Sequence, residues 1–381
     1  MKHTDQQKNI SVCALVPYAP GTTPSQRFRI EQWMDYLRDR EGITVELLSF
    51  ADHELMALLR EPGRIGAKAM ASLAAYVRAA MRVAGAIRYD AVMVHRTIAL
   101  AGPALLERLL KATGKPVIYE FDDAIFLLHT SEVNRRFGWM KFPQKTATIC
   151  GLSSHVVVGN EWLAEYARQF NDQVTIIPTS IETDRYRTFH KNGAGDHNGN
   201  GRRVVIGWTG SSTSQTYLEW FAPVLGEFMK RRDVELRVIS NREPEMQDVP
   251  YVWREWRPET EIEEISRFDI GIMPMPEDQW SRGKCALKAL QCMAAGTPVV
   301  CSAIGANLEV ISHGENGILA DTPEEWIQNL EKLVDDPALR FRLGEAGRQT
   351  VEDRYSTERC ARMFAEVVRK TLKRHYGEEE R

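Results

Sequence analysis

The sequence predicts an α/β protein built from two Rossmann-like, doubly wound domains. Short apolar runs alternate with longer stretches of helical period, a pattern typical of βαβ units and a parallel sheet. The series is interrupted at residues 190–203 (HKNGAGDHNGNGRR), which are rich in Gly, Asn and charge and offer little to bury. Because 381 residues exceed what one hydrophobic core usually serves, we expect two domains joined by a linker.

The strand-like runs fix the domain bounds. The first half contains runs at residues 10–17, 45–50, 91–95, 117–121, 155–159 and 174–178, and the second at 204–208, 235–240, 270–274 and 298–302. We predict an N-terminal domain over 1–189, a linker over 190–203 and a C-terminal domain over 204–356. Residues 357–381 form an amphipathic helix that either closes the second domain or crosses back to the first.

Composition and charge describe a globular protein that does not target nucleic acid. The net charge is −3, and hydrophobic and charged residues make up 43% and 27% of the chain. Six cysteines form no C-x-x-C pair, which favours reduced, mostly buried thiols. A polar start (MKHTDQQKN) predicts no signal peptide, and the apolar stretch 69–87 is broken by Arg78 and Arg82. We therefore expect a cytoplasmic protein with no membrane span.

The most informative segment is residues 271–317 (GIMPMPEDQWSRGKCALKALQCMAAGTPVVCSAIGANLEVISHGENG). Its pattern predicts the end of a strand, a loop, a helix from about Lys284 to Ala295, a tight turn and another strand. On that helix Lys284, Lys288 and Gln291 fall on one stripe. A helix that begins at the carboxyl end of a parallel strand and carries two lysines suits a diphosphate, although a solvated lysine face has the same spacing.

Residues 290–317 (LQCMAAGTPVVCSAIGANLEVISHGENG) carry a family resemblance. They resemble the motif EAMAAGxPVVxSxxGxxxEVIxxGxxG of the retaining, group 1 type glycosyltransferases of GT-B fold, the family of sucrose synthase and many bacterial cell-surface polysaccharide transferases. A looser similarity extends from residue 10 to about 355. The resemblance implies two domains that face each other across a cleft, with the donor on the C-terminal side and the acceptor on the N-terminal side.

The same resemblance implies a reaction. A glycosyl group moves, with retention, from a nucleoside diphosphate sugar to a hydroxyl of a glycan or a lipid-linked saccharide. It also implies no metal or other cofactor, because Lys284 and backbone amides neutralise the leaving diphosphate. Two alternatives stay open: a sugar-nucleotide epimerase or phosphorylase of the same fold, and a catalytically inactive carbohydrate-binding partner subunit.

The family usually carries two glutamates eight positions apart, one for the donor sugar and one for the ribose. At these positions this chain has Gly283 and Gln291. A Gln amide still bonds hydroxyl groups, so Gln291 is expected at the ribose. Glu277 and Asp278 are the candidates to replace the missing sugar-facing carboxylate.

Two further loops are predicted to meet the donor. One is the turn at the end of the strand VVIGWTG, whose small residues and N–H groups at a helix start suit a phosphate. The other, in the resembling family, brings backbone to the diphosphate or ribose. The residues concerned are Gly210, Ser211 and Ser212 in the first loop, and Gly305, Ala306, Asn307 and Glu309 in the second.

In the N-terminal half, Asp122 and Asp123 follow a strand. They are interpreted as contacts to acceptor or sugar, as helix caps or as metal ligands. His95 ends another strand and is a further candidate contact, so Lys284, Asp122, Asp123 and His95 are the predicted catalytic residues. Gly21 and Arg27, with Arg29 beyond them, lie in the loop expected at the acceptor, where the arginines suit an anion.

A helix over about 64–88 offers one more surface. Its basic residues fall on one side and its larger apolar residues opposite: Arg64, Lys68, Arg78 and Arg82 against Met70, Leu73, Val77, Met81 and Ala84. One interpretation is a solvated basic face above a packed apolar one. The other is a basic face that docks on an anionic membrane, which would place the protein at the inner face of the membrane.

Overall fold

Each half of the chain builds a six-stranded parallel sheet with helices on its faces. The computed structural model describes residues 9–127, 142–187 and 202–377. The chain divides into unit 1, Met1–Thr179 with Glu358–Arg381, and unit 2, Ser180–Thr357. The α/β class and the two Rossmann-like halves are thus confirmed, and most of the predicted linker lies outside the described residues.

Unit 1 has the strand order β2-β1-β3-β4-β5-β6. Its strands are β1 Ile10–Val16, β2 Ile43–Ser49, β3 Ala91–His95, β4 Val117–Phe121, β5 His155–Val158 and β6 Val174–Ile176. Its helices are α1 Pro24–Arg29, α2 Met34–Glu41, α3 His53–Arg60, α4 Ile65–Gly85, α5 Leu105–Ala112, α6 Lys145–Leu152 and α7 Glu161–Arg168. Strands β3 and β4 are buried throughout, as expected for a parallel sheet covered on both faces.

The C-terminal helix, α16 (Thr357–Tyr376), completes unit 1. Its buried stripe includes Cys360, Phe364 and Val368, and the ring of Phe364 lies 5.6 Å from that of Trp33. Of the two positions considered for this helix, the structure has the one against the first unit.

Unit 2 has the order β12-β11-β10-β7-β8-β9. Its strands are β7 Val204–Gly210, β8 Val234–Ser240, β9 Val252–Glu255, β10 Ile270–Met273, β11 Val299–Ser302 and β12 Ile318–Ala320. Its helices are α8 Thr183–Arg187, α9 Ser212–Arg231, α10 Glu261–Ser266, α11 Gln279–Arg282, α12 Leu287–Ala294, α13 Asn307–Val310, α14 Pro323–Asp335 and α15 Pro337–Arg354. The two edge strands were not predicted, because β9 is half exposed and β12 has only three residues.

The boundary between the units falls earlier than predicted. Unit 1 ends at Thr179, whereas the predicted N-terminal domain ran to residue 189. The reason is a short parallel bridge between Ile181 and Ser356. The Ile181 N–H donates to the Tyr355 carbonyl at 2.8 Å, and the Thr357 N–H donates to the Ile181 carbonyl at 2.9 Å. These bonds tie the segment after Thr179 to unit 2.

Helix α4 exposes its larger apolar side chains to solvent, whereas the first interpretation of the sequence had them packed in the core. Met70, Leu73, Val77 and Met81 are 53–69% exposed rather than packed, and the buried positions are Ala75, Ala79 and Val83. The interpretation as a packed apolar face below a solvated basic one is therefore wrong. The packed side of the helix is formed by Ala75, Ala79 and Val83, and its larger side chains are left on the outside.

All six cysteines are free thiols. Burial raises the pKa of Cys13, Cys150, Cys292 and Cys360 to about 12, so these groups are protonated and unreactive.

Candidate functional site

The sheet of unit 2 changes direction between β7 and β10. From β7 the chain adds β8 and β9 on one side, and then β10, β11 and β12 on the other. Ligands of open α/β sheets bind at such a switch point, outside the carboxyl ends of the strands. The loops that follow β7, β10 and β11 meet at this edge because the three strands are parallel neighbours.

The loop after β7 is a close-packed turn. A Cβ on Gly210 would lie 2.5 Å from the Trp208 ring and 2.7 Å from the Ser214 hydroxyl, so only glycine fits. Ser211 is the extended N-cap residue of the 20-residue helix α9. The Ser212 N–H already donates to Asn241 Oδ1 at 2.7 Å. Asn241 thus caps one of the N–H groups that were expected to meet a phosphate.

The loop after β10 differs from its predicted form. Helix α12 begins at Leu287, and Ala286 before it is left-handed with φ 54°. Lys284 lies in a preceding turn, where its N–H donates to the Ser281 carbonyl at 3.1 Å. Lys284 therefore does not share a helical stripe with Lys288 and Gln291, and that part of the prediction is wrong. The left-handed residue Ala286 separates Lys284 from the helix, although periodicity had predicted one helix for all three residues.

Both lysines are half-buried and lie over aromatic rings. Lys284 Nζ is 4.9 Å from the Trp280 ring centroid, and Lys288 Nζ is 5.4 Å from that of Trp208. Attraction between ammonium groups and ring faces holds each charge in place. Trp208 also contacts the Gly210 turn, so Lys288 is fixed beside the loop that follows β7.

The loop after β11 packs against the loop after β10. Gly305 is left-handed (φ +55°), and a Cβ there would lie 2.8 Å from the Arg282 carbonyl oxygen. The Ser302 hydroxyl accepts from the Met275 N–H at 2.8 Å, and the Ser302 carbonyl accepts from Asn307 Nδ2 at 2.9 Å. Two donor-loop candidates, around Lys284 and around Gly305, are thereby held together. Within the second loop Ala306 is buried and Glu309 is exposed.

Gln291 is buried and points at a carboxylate. Its Nε2 donates to Glu261 Oε1 at 3.1 Å, and Trp256 Nε1 donates to the same oxygen at 3.0 Å. The side-chain NH₂ expected at a ribose thus has a protein partner. This pairing was not foreseen because Glu261 lies 30 residues away in sequence.

The two candidate replacement carboxylates have separate roles. Asp278 Oδ1 accepts from the Ser281 N–H at 2.7 Å and caps α11. Glu277 is 79% exposed and pairs with Arg282 at 3.0 Å.

A second group of polar side chains lies in unit 1, at the carboxyl ends of β3 and β4. These strands are parallel neighbours, so the residues that end them meet at one edge of the sheet. Helix α1 contributes two more side chains. The group, called the polar cluster below, consists of Ser25, Arg29, His95, Arg96, Glu120, Asp122 and Asp123.

The centre of the polar cluster is a fully buried chain of charges. Arg29 Nε donates to Glu120 Oε1 at 2.8 Å. The other oxygen of Glu120 is hydrogen-bonded to Nδ1 of His95. Because Arg29 is buried, the expectation that it meets an anionic acceptor is wrong. A buried carboxylate needs such partners, and Arg29 serves Glu120 instead.

Ser25 connects His95 to Asp122. Its hydroxyl donates to Asp122 Oδ1 at 2.6 Å and lies 3.1 Å from His95 Nε2. His95 is thus held at both ring nitrogens, by Glu120 at Nδ1 and by Ser25 at Nε2. Arg29 and Arg96 lie among the three carboxylates of the polar cluster.

Arg96 holds both predicted aspartates. Its Nη2 lies 2.7 Å from Asp122 Oδ1 and 2.5 Å from Asp123 Oδ2. Burial acts to raise the pKa of Asp122, but the charges of Arg96, His95 and Arg29 outweigh it and hold that pKa well below its ordinary value. Sequence reasoning missed Arg96, whose left-handed backbone (φ 56°) at a strand end turns its side chain over the carboxylates. Within residues 9–127, 142–187 and 202–377, no group of three His, Cys, Asp or Glu side chains is arranged to hold a metal ion.

The two acceptor-side candidates precede the polar cluster in sequence. Gly21 has φ +74°, and its N–H donates to the Glu31 carboxylate at 3.0 and 3.1 Å. Arg27 is half-buried, with its guanidinium 4.5 Å from the Phe28 ring centroid.

Comparison with known proteins agrees with this architecture. Residues 203–336 match the family described as "Glycosyl transferases group 1". A D-inositol 3-phosphate glycosyltransferase of Pseudarthrobacter chlorophenolicus is 30% identical over 159 residues, which is 40% of this chain and 36% of that protein. The chain thus matches little more than a third of that curated relative's length.

Solved structures resemble the whole chain. A glycosyltransferase from Rickettsia africae superposes with a TM-score of 0.66 at 15% identity, covering 96% of this chain and 99% of that one. Anabaena HepE in complex with UDP and glucose gives a TM-score of 0.63 at 14% identity, covering 95% and 100%. The chain has the GT-B fold, and residues 203–336 of unit 2 are similar to the group 1 glycosyl transferases.

Proposed function

We propose that this protein transfers a glycosyl group from a nucleoside diphosphate sugar to a hydroxyl of a glycan or a lipid-linked saccharide. The observation that carries the proposal is the junction of the three loops in unit 2. Gly305 lies against the Arg282 backbone, and Lys288 lies over Trp208 beside the Gly210 turn. Two lysines and a helix N-terminus are concentrated where an open α/β sheet binds its ligands.

In this proposal the donor diphosphate lies against the junction. Lys284 and Lys288 neutralise it, and backbone N–H groups of the loops at 210–211 and 305–306 add hydrogen bonds. The reaction retains the anomeric configuration, as in the family that the chain resembles. A donor phosphate oxygen accepts the proton of the acceptor hydroxyl, so no protein base is required. The solved HepE complex with UDP and glucose supports a donor of this class.

The polar cluster of unit 1 is proposed to contact the acceptor or the transferred sugar. Asp122 is 12% exposed and Asp123 is 16% exposed, so carboxylate oxygens reach the surface. His95 is fully buried, and we therefore assign it a positioning role through Ser25 rather than a direct contact. Gly21 and Arg27 complete the proposed acceptor side.

We propose that the reaction needs no divalent metal. Arg96 already pairs with both Asp122 and Asp123, the aspartates interpreted above as possible metal ligands. Activity should survive EDTA. Loss of turnover in EDTA with rescue by manganese would overturn this part and make the aspartates ligands.

The first experiment is a donor screen by thermal shift with UDP-, GDP- and ADP-sugars. A ligand at 100 times its Kd contributes about 2.7 kcal/mol, which raises the Tm of a domain of this size by roughly 5–10 °C. Turnover of the stabilising donor is then measured with and without glycan and lipid-linked acceptors. Transfer that requires an acceptor is the expected result.

Two other outcomes would replace the proposal. Donor conversion without any acceptor would identify an epimerase or a phosphorylase. Donor binding without turnover would identify an inactive binding subunit, the alternative that Gly283 and the Gln291–Glu261 pair favour.

A further inference from the structure

The outward side of α4 is a continuous apolar surface. Its large side chains are strongly exposed, at 69% for Met70, 60% for Leu73 and 62% for Met81. The other exposed positions of this side are Gly or small apolar residues. The surface, called the α4 outer face below, consists of Gly66, Ala67, Ala69, Met70, Leu73, Ala74, Val77, Met81 and Ala84. A helix exposing such a face to water on this scale marks an interaction site.

The basic residues of α4 lie at its flanks and are held by unit 1. Arg64 pairs with Glu61 at 3.0 Å, and Arg78 pairs with Asp52 at 3.1 Å. Lys68 and Arg82 donate to the carbonyls of Glu61 and Ser49. These contacts hold the four basic side chains of the predicted docking face against unit 1. The apolar side is the outermost part of the helix.

Neighbouring residues extend the apolar surface and give it a basic rim. Ile87 follows α4 and is 60% exposed, and Leu105 and Leu109 on the adjacent α5 are 59% and 45% exposed. Arg88, Arg108 and Lys111 are exposed beside them. An apolar strip with basic side chains at its edge is the pattern of a helix that lies in the surface of a bilayer.

We propose that the α4 outer face inserts into the surface of an anionic membrane, with α4 parallel to it. At ~1.5 Å per residue the strip from Gly66 to Ala84 is roughly 27 Å long. It carries no side-chain hydrogen-bonding group and no aromatic residue. Protein interfaces carry about one hydrogen bond per 100–200 Å² and are anchored by Tyr, Trp or Arg. Insertion into lipid hydrocarbon requires neither hydrogen bonds nor anchors of this kind, and the basic rim complements anionic headgroups.

Insertion along the surface fits the helix better than crossing the bilayer. Among the described residues, Ile65–Arg88 is the one helix long and apolar enough to span, and only 22% of its most apolar stretch is buried. Spanning would pull Arg78 from Asp52 and Arg82 from Ser49 and place both guanidiniums near the bilayer centre. It would also expose the side that packs through Ala75, Ala79 and Val83.

The test is sedimentation of the full chain with vesicles of phosphatidylcholine and phosphatidylglycerol, compared with phosphatidylcholine alone. Wild type should sediment with the vesicles, more strongly when phosphatidylglycerol is present. The double variant Leu73→Gln/Met81→Gln should lower the partition coefficient at least tenfold, because two inserted apolar side chains become polar. Both positions are more than half exposed, so the fold should be retained, and an unchanged Tm checks this.

The matched control is Trp220→Gln/Phe341→Gln, which removes two exposed hydrophobic residues (57% and 47%) from unit 2. Its partition coefficient should stay within twofold of wild type. No sedimentation of wild type, equal binding by Leu73→Gln/Met81→Gln, or equal binding to both vesicle types would overturn the proposal. So would a wild-type dimer, by light scattering, that the same double variant dissociates. No sugar nucleotide is needed, so the result is independent of the proposed transfer activity.

Discussion

Gly305 lies so close to Arg282 that a Cβ atom at residue 305 would stand 2.8 Å from the Arg282 carbonyl oxygen and 3.0 Å from its Cα. This contact joins the loop after β11 to the turn that carries Lys284. The obstructing atoms are backbone atoms, which cannot rotate away as the end of a side chain can. The two loops therefore hold their relative position only while residue 305 is glycine.

Gly305→Ala should destabilise unit 2 and weaken donor binding together. The left-handed backbone costs about 1–2 kcal/mol for alanine, and the clash with Arg282 raises the loss to about 2–4 kcal/mol. Gly314→Ala is the matched control, because Gly314 has φ +79° but nothing within 4 Å of its Cβ position. Urea unfolding and calorimetric titration with a nucleoside diphosphate measure the two effects. Equal losses in both variants would refute a special role for the Arg282 contact.

Lys284→Ala should weaken binding of the nucleoside diphosphate by about 1.5–3 kcal/mol, the usual scale for a charge-assisted hydrogen bond. Lys288→Ala should cost less, since Lys288 lies within α12, whereas Lys284 lies in the turn that packs against the loop after β11. Lys230→Ala is the control, because Lys230 lies on α9 of the same unit and its side chain is 77% exposed. Titration calorimetry compares the three. An unchanged Kd for Lys284→Ala would remove it from the site.

The positions of these lysines illustrate what the sequence can predict. The periodicity of residues 284–295 indicated a helix at the edge of the sheet, and α12 lies there. Its start was misplaced because one left-handed residue, Ala286, ends the helical path, and alanine gives no signal of that conformation. Strand ends were easier, since β3 and β4 are bounded by clear changes in polarity, and their predicted bounds match the structure.

Periodicity and motif spacing could not predict hydrogen bonds between residues that are far apart in the sequence. Arg29 reaches Glu120 across 91 residues, and Gln291 reaches Glu261 across 30. Neither pair follows a helical or strand period. The exposed side of α4 was also predicted wrongly, because periodicity shows that a helix has an apolar side but not whether its alanines or its larger residues are buried.

Gln291→Glu, which restores the residue usual in the family, should destabilise unit 2 in a pH-dependent way. It places a second buried carboxyl about 3 Å from Glu261, and two such groups cannot both ionise. The folded variant keeps a proton that the unfolded chain releases above about pH 4.3, so its stability falls as pH rises. We expect a loss of about 2–4 kcal/mol at pH 8 and a smaller one at pH 5.

Urea unfolding at both pH values measures this, with Gln291→Met as the control. Met removes the hydrogen bond to Glu261 without adding a charge, so its loss should be similar at pH 5 and pH 8. If Gln291→Glu is as stable as wild type at pH 8, the buried pair described here is not formed in solution.

His155 should make unit 1 sensitive to acid. It is 1% exposed, its Nε2 lies 2.9 Å from the Thr175 hydroxyl, and its Nδ1 has no hydrogen-bond partner among the described residues. Burial, together with the smaller effect of the charges of Lys370 and Arg374 on α16, lowers the pKa of His155 to about 4. The folded state thus favours the neutral ring. In the unfolded chain the ring takes up a proton near pH 6.5.

Between about pH 6.5 and 4 the unfolded chain therefore binds one more proton than the folded chain, and stability falls as the pH falls. We expect a loss of about 1–2 kcal/mol over this window, less than the full pKa difference implies, because solvent screens part of the effect.

His155→Gln should flatten this part of the pH profile in urea unfolding, since its amide can bond Thr175 without titrating. His53→Gln, at an exposed histidine on α3, should leave the profile unchanged. Lys370→Gln should reduce the loss without abolishing it, because burial is the larger cause. A profile for His155→Gln parallel to that of wild type would show that His155 does not carry the acid sensitivity.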